Sequence, residues 1–141
     1  MLEVTPIPVL ADNYTWLLHT QHSDAAYVVD PGESAPVAEA IKQAGLKLEG
    51  ILLTHRHHDH IGGVEALATG GLPVYGPQHP QMTAVTHLLA PGDTVTLSRL
   101  GTELKVFGVP GHTLEHIAYC GDGLLFAGDA LFAGGCGRMF E

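Results

Sequence analysis

Residues 51–53 are Ile-Leu-Leu, and the seven positions after Thr54 read His-Arg-His-His-Asp-His-Ile before a Gly62-Gly63 pair. This apolar run closes a segment, residues 48–53, that reads as a buried strand, and strongly hydrated groups can follow it only if the strand ends at the rim of a sheet. The fold must therefore cover this strand and bring its end to an edge where titratable groups gather. A solvated polar rim and a metal site are both compatible with that placement, and what the rest of the chain brings to the same edge decides between them.

At 141 residues, one domain with a real core is expected. Hydrophobic residues at 45 % and charged residues at 15 % exclude a disordered chain, and the absence of any apolar stretch near 18 residues excludes a membrane-spanning helix. A net charge of −9 without a Lys/Arg cluster excludes a nucleic-acid backbone as partner. The start, with Glu3 and prolines at 6 and 8, lacks the basic and apolar stretches of a signal peptide, so a cytoplasmic protein is expected. Cys120 and Cys136 are too few for a disulfide framework and read as reduced thiols.

Alternation and turn residues predict strands at 2–9, 14–20 and 25–29, forming an antiparallel meander. After Asp30-Pro31-Gly32, both Asp12 and Asp30 being read as turn residues, Ser34 is expected to cap a helix. Its Val37, Ala40, Ile41 and Ala44 recur at helical spacing up to Gly45. A strand at 48–53 precedes the histidine cluster, and a short helix at 64–69 follows it. Further strands are expected at 74–75, 94–97, 104–109, 117–120 and 124–127, the last pair joined by Gly121-Asp122-Gly123. The final segment, AGDALFAGGCGRMFE, is rich in glycine and ends without a closing element, so a continuation is expected.

In an extended segment alternate side chains point the same way, so His55 and His57 can face one point. Asp59 and His60 follow the turn and are expected to diverge toward a second point nearby. Two neighbouring metal positions follow, since imidazole suits zinc, iron and manganese and a carboxylate can bridge two cations. Downstream, Val109-Pro110-Gly111-His112-Thr113 and Phe126-Ala127-Gly128-Asp129 each place a ligand-type residue just beyond a strand. Arg56 and His58 occupy the alternate positions and should point away. His116 is read as packing against the site rather than ligating, and His19, His22, His79 and His87 stand alone and take no role.

Taken together, "THRHHDHIGG", "PGHTLEH" and "FAGDALFAGGCGRMFE", with the earlier "ADNYTWLL" and "VVDPGE", resemble the metallo-β-lactamase superfamily, and within it the glyoxalase II (hydroxyacylglutathione hydrolase) family. The resemblance runs over essentially the whole chain. It implies an α/β fold, the αββα sandwich of that superfamily, present here only as the N-terminal portion of a catalytic domain spanning 1–141. The C-terminal part of that domain and a helical second domain are missing.

The resemblance also implies two divalent metal ions, zinc first and iron or manganese as alternatives. His55, His57 and His112 would hold one, Asp59 and His60 the other, and Asp129 would lie between them; a further family histidine on the second metal falls beyond residue 141. Arg138 and Phe140 match substrate-contacting positions, although Phe140 stands where tyrosine is frequent and has no hydroxyl to donate. Glu115 replaces the glycine usual in that motif. The implied reaction is hydrolysis of S-D-lactoylglutathione to D-lactate and glutathione, part of methylglyoxal detoxification, by water that the metals activate and Asp59 orients.

Two rival readings are a persulfide dioxygenase with one iron on the equivalents of His55, His112 and Asp129, and a catalytically impaired metal-binding fragment. The expected partner is a small-molecule glutathione thioester, with no nucleic acid and no membrane. Truncated strand edges would also favour self-association.

Overall fold

A computed structural model describes residues 2–109 and 113–128, and the backbone of 130–133. Glu3–Val9 (β1), Asn13–His19 (β2) and Ala25–Val29 (β3) form the antiparallel meander expected from their alternation. A helix, Ser34–Gln43 (α1), then crosses over to Lys47–Leu52 (β4), which lies parallel to β3, and Val74–Gly76 (β5) and His87–Leu88 (β6) continue the parallel half. These strands make one sheet in the order β1-β2-β3-β4-β5-β6. The second sheet is antiparallel and is built from Thr94–Leu97 (β7), Thr102–Gly108 (β8), Ile117–Gly121 (β9), Leu124–Ala127 (β10) and Ala130–Ala133 (β11), in the order β11-β10-β9-β8-β7.

The sheets pack face to face, and strand alternation sorts the apolar side chains into layers. Tyr27, Val29 and Leu52 from the first sheet meet Val95, Leu97, Leu104, Val106, Tyr119 and Phe126 from the second. The opposite face of the first sheet presents Leu17, Val28 and Ile51 to Val37 and Ile41 of α1 and to Val64 of a short helix, Val64–Leu67 (α3). All five residues of β3 are buried because both its faces are covered. On the outer face of the second sheet Ala118, Cys120 and Leu125 form a smaller cluster. The layering is that of the αββα sandwich. One helical layer lies among the described residues, in keeping with a partial domain.

Four details depart from the sequence reading. Glu33, not Ser34, is the N-cap residue, and Ser34 is the first residue of α1. A helical turn, His58–Ile61 (α2), forms within the histidine cluster itself. The pair β6, the strand β11 and a 3-10 turn at Ser98–Leu100 had no sequence signal strong enough to mark them. Cys120 is disulfide-bonded rather than a reduced thiol; Cys136 lies outside the described residues. No helix among the described residues is long and apolar enough to cross a membrane.

Candidate metal site

The carboxyl-terminal ends of parallel strands share one edge of a sheet, and here β3 ends at Val29, just before Asp30, while β4 ends at Leu52, shortly before Thr54 and His55. Asp30 takes a positive φ of 54°, which turns its side chain back under the neighbouring strand instead of out to solvent. Its carboxylate is buried. Oδ1 accepts from the Thr54 backbone N–H at 2.8 Å, and Oδ2 accepts from Thr54 Oγ1 at 2.6 Å and pairs with His60 Nδ1 at 3.0 Å. The backbone of Asp30 is held as well, with its N–H donating to Leu52 O and its carbonyl accepting from Thr15 Oγ1. Asp30 was read as a turn residue, and it is instead the centre of the site's floor.

These contacts set the protonation of two histidines. A carboxylate only accepts, so the single Thr54 hydroxyl proton points to Asp30, and Thr54 Oγ1 is left to accept from His55 Nδ1 at 2.8 Å. By the same logic His60 carries its proton on Nδ1, facing Asp30 Oδ2. Both rings then keep their lone pairs on Nε2, the state in which a neutral imidazole ligates a metal while its other nitrogen donates to a fixed acceptor. His55 and His60 are buried, with ring centroids 4.2 Å apart.

His57 lies 4.9 Å from His55 by ring centroids, so the alternate-residue expectation places this pair together as well. The turn of α2 places His60 beside the His55 ring, with its centroid 4.2 Å away. His58 is exposed and Arg56 points toward Glu115 and Gln81, both away from the histidine group. His116 stacks on His55 with centroids 4.5 Å apart and planes 22° apart, the packing role expected of it.

Asp59 stands at the open side of the group. Its Oδ2 lies 3.5 Å from His60 Nε2 and accepts from Asn13 Nδ2 at 2.8 Å. Partial burial raises the Asp59 pKa, but the hydrogen bond from Asn13 leads the opposing causes, leaving the carboxyl below the ordinary aspartate value. Asn13 carried no sequence signal beyond its place in a turn.

The turn that presents Asp59 and His60 sits directly on the loop after β3, and glycine is required at that contact. A Cβ on Gly32 would overlap the carbonyl of Asp59, and one on Gly63 would come within 2.7 Å of the Ser34 nitrogen. Beneath the histidines the two sheets are stitched together. Tyr119 Oη donates to Leu53 O at 2.6 Å, and the Ile117 N–H donates to Thr54 O at 2.9 Å.

Among the described residues, Asp30, His55 and His60 have ligand-type atoms within 4.8 Å of one another. Both Asp30 oxygens already accept hydrogen bonds, so Asp30 orients the group, and Nε2 of the two histidines with Asp59 Oδ2 are the better donors. The 3.5 Å between His60 Nε2 and Asp59 Oδ2 suits a cation, since tetrahedral ligands about 2.1 Å from a common centre lie about 3.4 Å apart. The donor set therefore fits a divalent metal. His112, Asp129, Arg138 and Phe140, also expected at the site, lie outside the described residues.

Residues 10–141 match the model of the metallo-β-lactamase superfamily. Among curated proteins, the chain is 51 % identical over 142 residues to a hydroxyacylglutathione hydrolase of Alkalilimnicola ehrlichii. It is 46 % identical over 144 residues to one of Shewanella halifaxensis. In both comparisons the match takes in all of this chain but 56 % of the relative, so the chain spans about half the length of the curated relatives it matches. Among solved structures, the BLEG-1 B3 metallo-β-lactamase superposes with a TM-score of 0.78 at 27 % identity, over 94 % of this chain and 76 % of that one. ETHE1 from Myxococcus xanthus gives 0.75 at 25 % identity, over 94 % of this chain and 59 % of that one. With a sandwich of two sheets and a histidine-rich turn at the ends of its parallel strands, the chain belongs to the metallo-β-lactamase superfamily.

Proposed function

We propose that this chain is the N-terminal, metal-binding portion of a cytoplasmic glyoxalase II-type hydrolase, which cleaves S-D-lactoylglutathione to D-lactate and glutathione. The observation that carries the reading is the pair of buried histidines whose Nδ1 atoms are fixed by Thr54 and Asp30, in a chain 46–51 % identical to hydroxyacylglutathione hydrolases. In this reading His55, His57 and His112 would hold one divalent ion, Asp59 and His60 would hold a second, and Asp129 would serve both. Zinc is the first choice of metal, with iron or manganese as alternatives.

When bound, divalent cations supply Lewis acidity and bring the pKa of water down to about 7. The rest falls to the chain. Asp59, kept ionised by the hydrogen bond from Asn13, accepts a hydrogen bond from the attacking water and aims it at the thioester carbonyl. The leaving thiol has a pKa near 8.5, far below that of an amine or alcohol, so no general acid need stand beside the sulfur. Arg138 offers a cation to the anionic glutathione moiety, and Phe140 an apolar surface.

The test is free-thiol release from S-D-lactoylglutathione by the zinc-loaded chain, with metal counted per chain. The reading expects thiol release that His57→Ala and Asp129→Ala abolish. Equal rates in parent and variants would remove it. A chain that holds zinc without turnover is the impaired metal-binding fragment, its catalytic complement lying in the remaining length of the relatives. One iron per chain with oxygen consumption on glutathione persulfide would assign the dioxygenase reading instead.

A further inference from the structure

The segment 113–117 approaches the histidine cluster at three successive places. Glu115 Oε2 accepts from the backbone N–H of Arg56 at 3.1 Å, His116 stacks on His55, and the Ile117 N–H donates to Thr54 O. The first contact is unusual in kind. Arg56 lies between His55 and His57, and a side chain from the loop between β8 and β9 holds its amide, 59 residues away in sequence. The same carboxylate lies 3.6 Å from Arg56 Nε, and the Glu115 side chain is 8 % exposed against 35 % for Arg56. Burial raises the Glu115 pKa, but contacts from Thr113, its own backbone and the Arg56 amide outweigh it and hold the carboxyl below the ordinary glutamate value.

A peptide unit between two residues that must point at one centre is where a small rotation does most harm. Turning the Arg56 amide by a few degrees about the chain swings the imidazoles on either side in different directions. Nothing in the cluster's own segment fixes that amide, because α2 begins only at His58. We propose that Glu115 is a positioning residue: its carboxylate clamps the Arg56 N–H and guanidinium and so fixes the relative aim of His55 and His57. The clamp also ties the loop that follows β8, which bears His112, to the loop that follows β4. This rests on the metal-site reading above and assigns to it a residue outside the ligand set.

Cobalt(II) is the probe, because its visible absorption reports coordination geometry independently of turnover. In the full 141-residue chain, Glu115→Ala is expected to weaken cobalt affinity by about tenfold or more and to alter the visible bands. Loss of a partner that orients ligands typically costs 10–100-fold in metal affinity. Glu115→Gln, whose amide oxygen still accepts from the Arg56 N–H, should recover most of that loss. Arg56→Gln, changed at the more exposed half of the clamp, should lose a few-fold, and it carries the test if the alanine variant does not fold. Parent affinity and spectrum in Glu115→Ala or, failing that, in Arg56→Gln would overturn the clamp alone, as would a glutamine variant no better than alanine. A parent chain that takes up no cobalt would overturn the metal reading and the clamp with it.

Discussion

The seven-residue cluster has two sides that are held in different ways. On the inner side, His55 and His60 rest on Thr54 and Asp30, all four buried, with Tyr119 bracing the strand end below. On the outer side, Asp59 is about half exposed, with a side-chain exposure of 46 %, and one asparagine holds it. The inner groups are fixed by a charged network in a low-dielectric setting, where each bond is strong and each loss is costly. The outer group keeps its charge by contact with solvent and by one hydrogen bond. The comparison teaches that a metal site of this type is half floor and half rim: the floor sets ring orientation and tautomer, and the rim supplies charge that can still reach a substrate.

Substitutions along this gradient sharpen or break the comparison. The largest effect is expected from Asp30→Ala, which strips the acceptor from Thr54 and His60 at once. Breaking a buried network of this kind costs about 3–5 kcal/mol, read as a lower urea midpoint. Thr54→Val keeps the volume but removes the link between Asp30 and His55, and a loss of about 2–4 kcal/mol is expected in the same assay, with weaker zinc binding. Tyr119→Phe leaves the buried Leu53 carbonyl without its hydroxyl donor, for about 1–2 kcal/mol.

The smallest effect belongs to the rim. Asn13→Ala should change stability by only a few tenths of a kcal/mol, because the Asp59 carboxylate is well screened. It should nevertheless raise the Asp59 pKa, measured from carboxyl carbon shifts. With its folded pKa below the unfolded one, Asp59 contributes stability that is present above the unfolded value and lost as pH falls through the folded one. Removing Asn13 should therefore shift the acid limb of the stability curve upward in pH. Comparable losses in Asp30→Ala and Asn13→Ala would abolish the distinction between floor and rim.

Much of this was legible in the sequence, and the reasons differ by residue. The strands of the meander and of the second sheet announce themselves by alternation, β3 by an unbroken apolar run and β4 by the Ile51-Leu52-Leu53 run at its end. His55 and His57 were placed together by the two-residue period of an extended chain. The turn of α2 that carries His60 went unread because it has no apolar periodicity to reveal it. Asp30 was read as a turn residue because Asp-Pro-Gly is good turn chemistry. The signal that could have found it is topological: it follows a strand whose parallel neighbour ends in the histidine cluster, so the two ends share an edge. Asn13 and Glu115 act across 46 and 59 residues respectively, and no local pattern encodes such contacts.

The most direct test of the account is the protonation state of the floor histidines, measured by long-range nitrogen–proton NMR on the metal-free chain near neutral pH. The account predicts that His55 and His60 are neutral, with the proton on Nδ1, and that their Nε2 resonances are the ones displaced when zinc is added. Protons found on Nε2 in either ring, or Nε2 signals unmoved by saturating zinc, would contradict it.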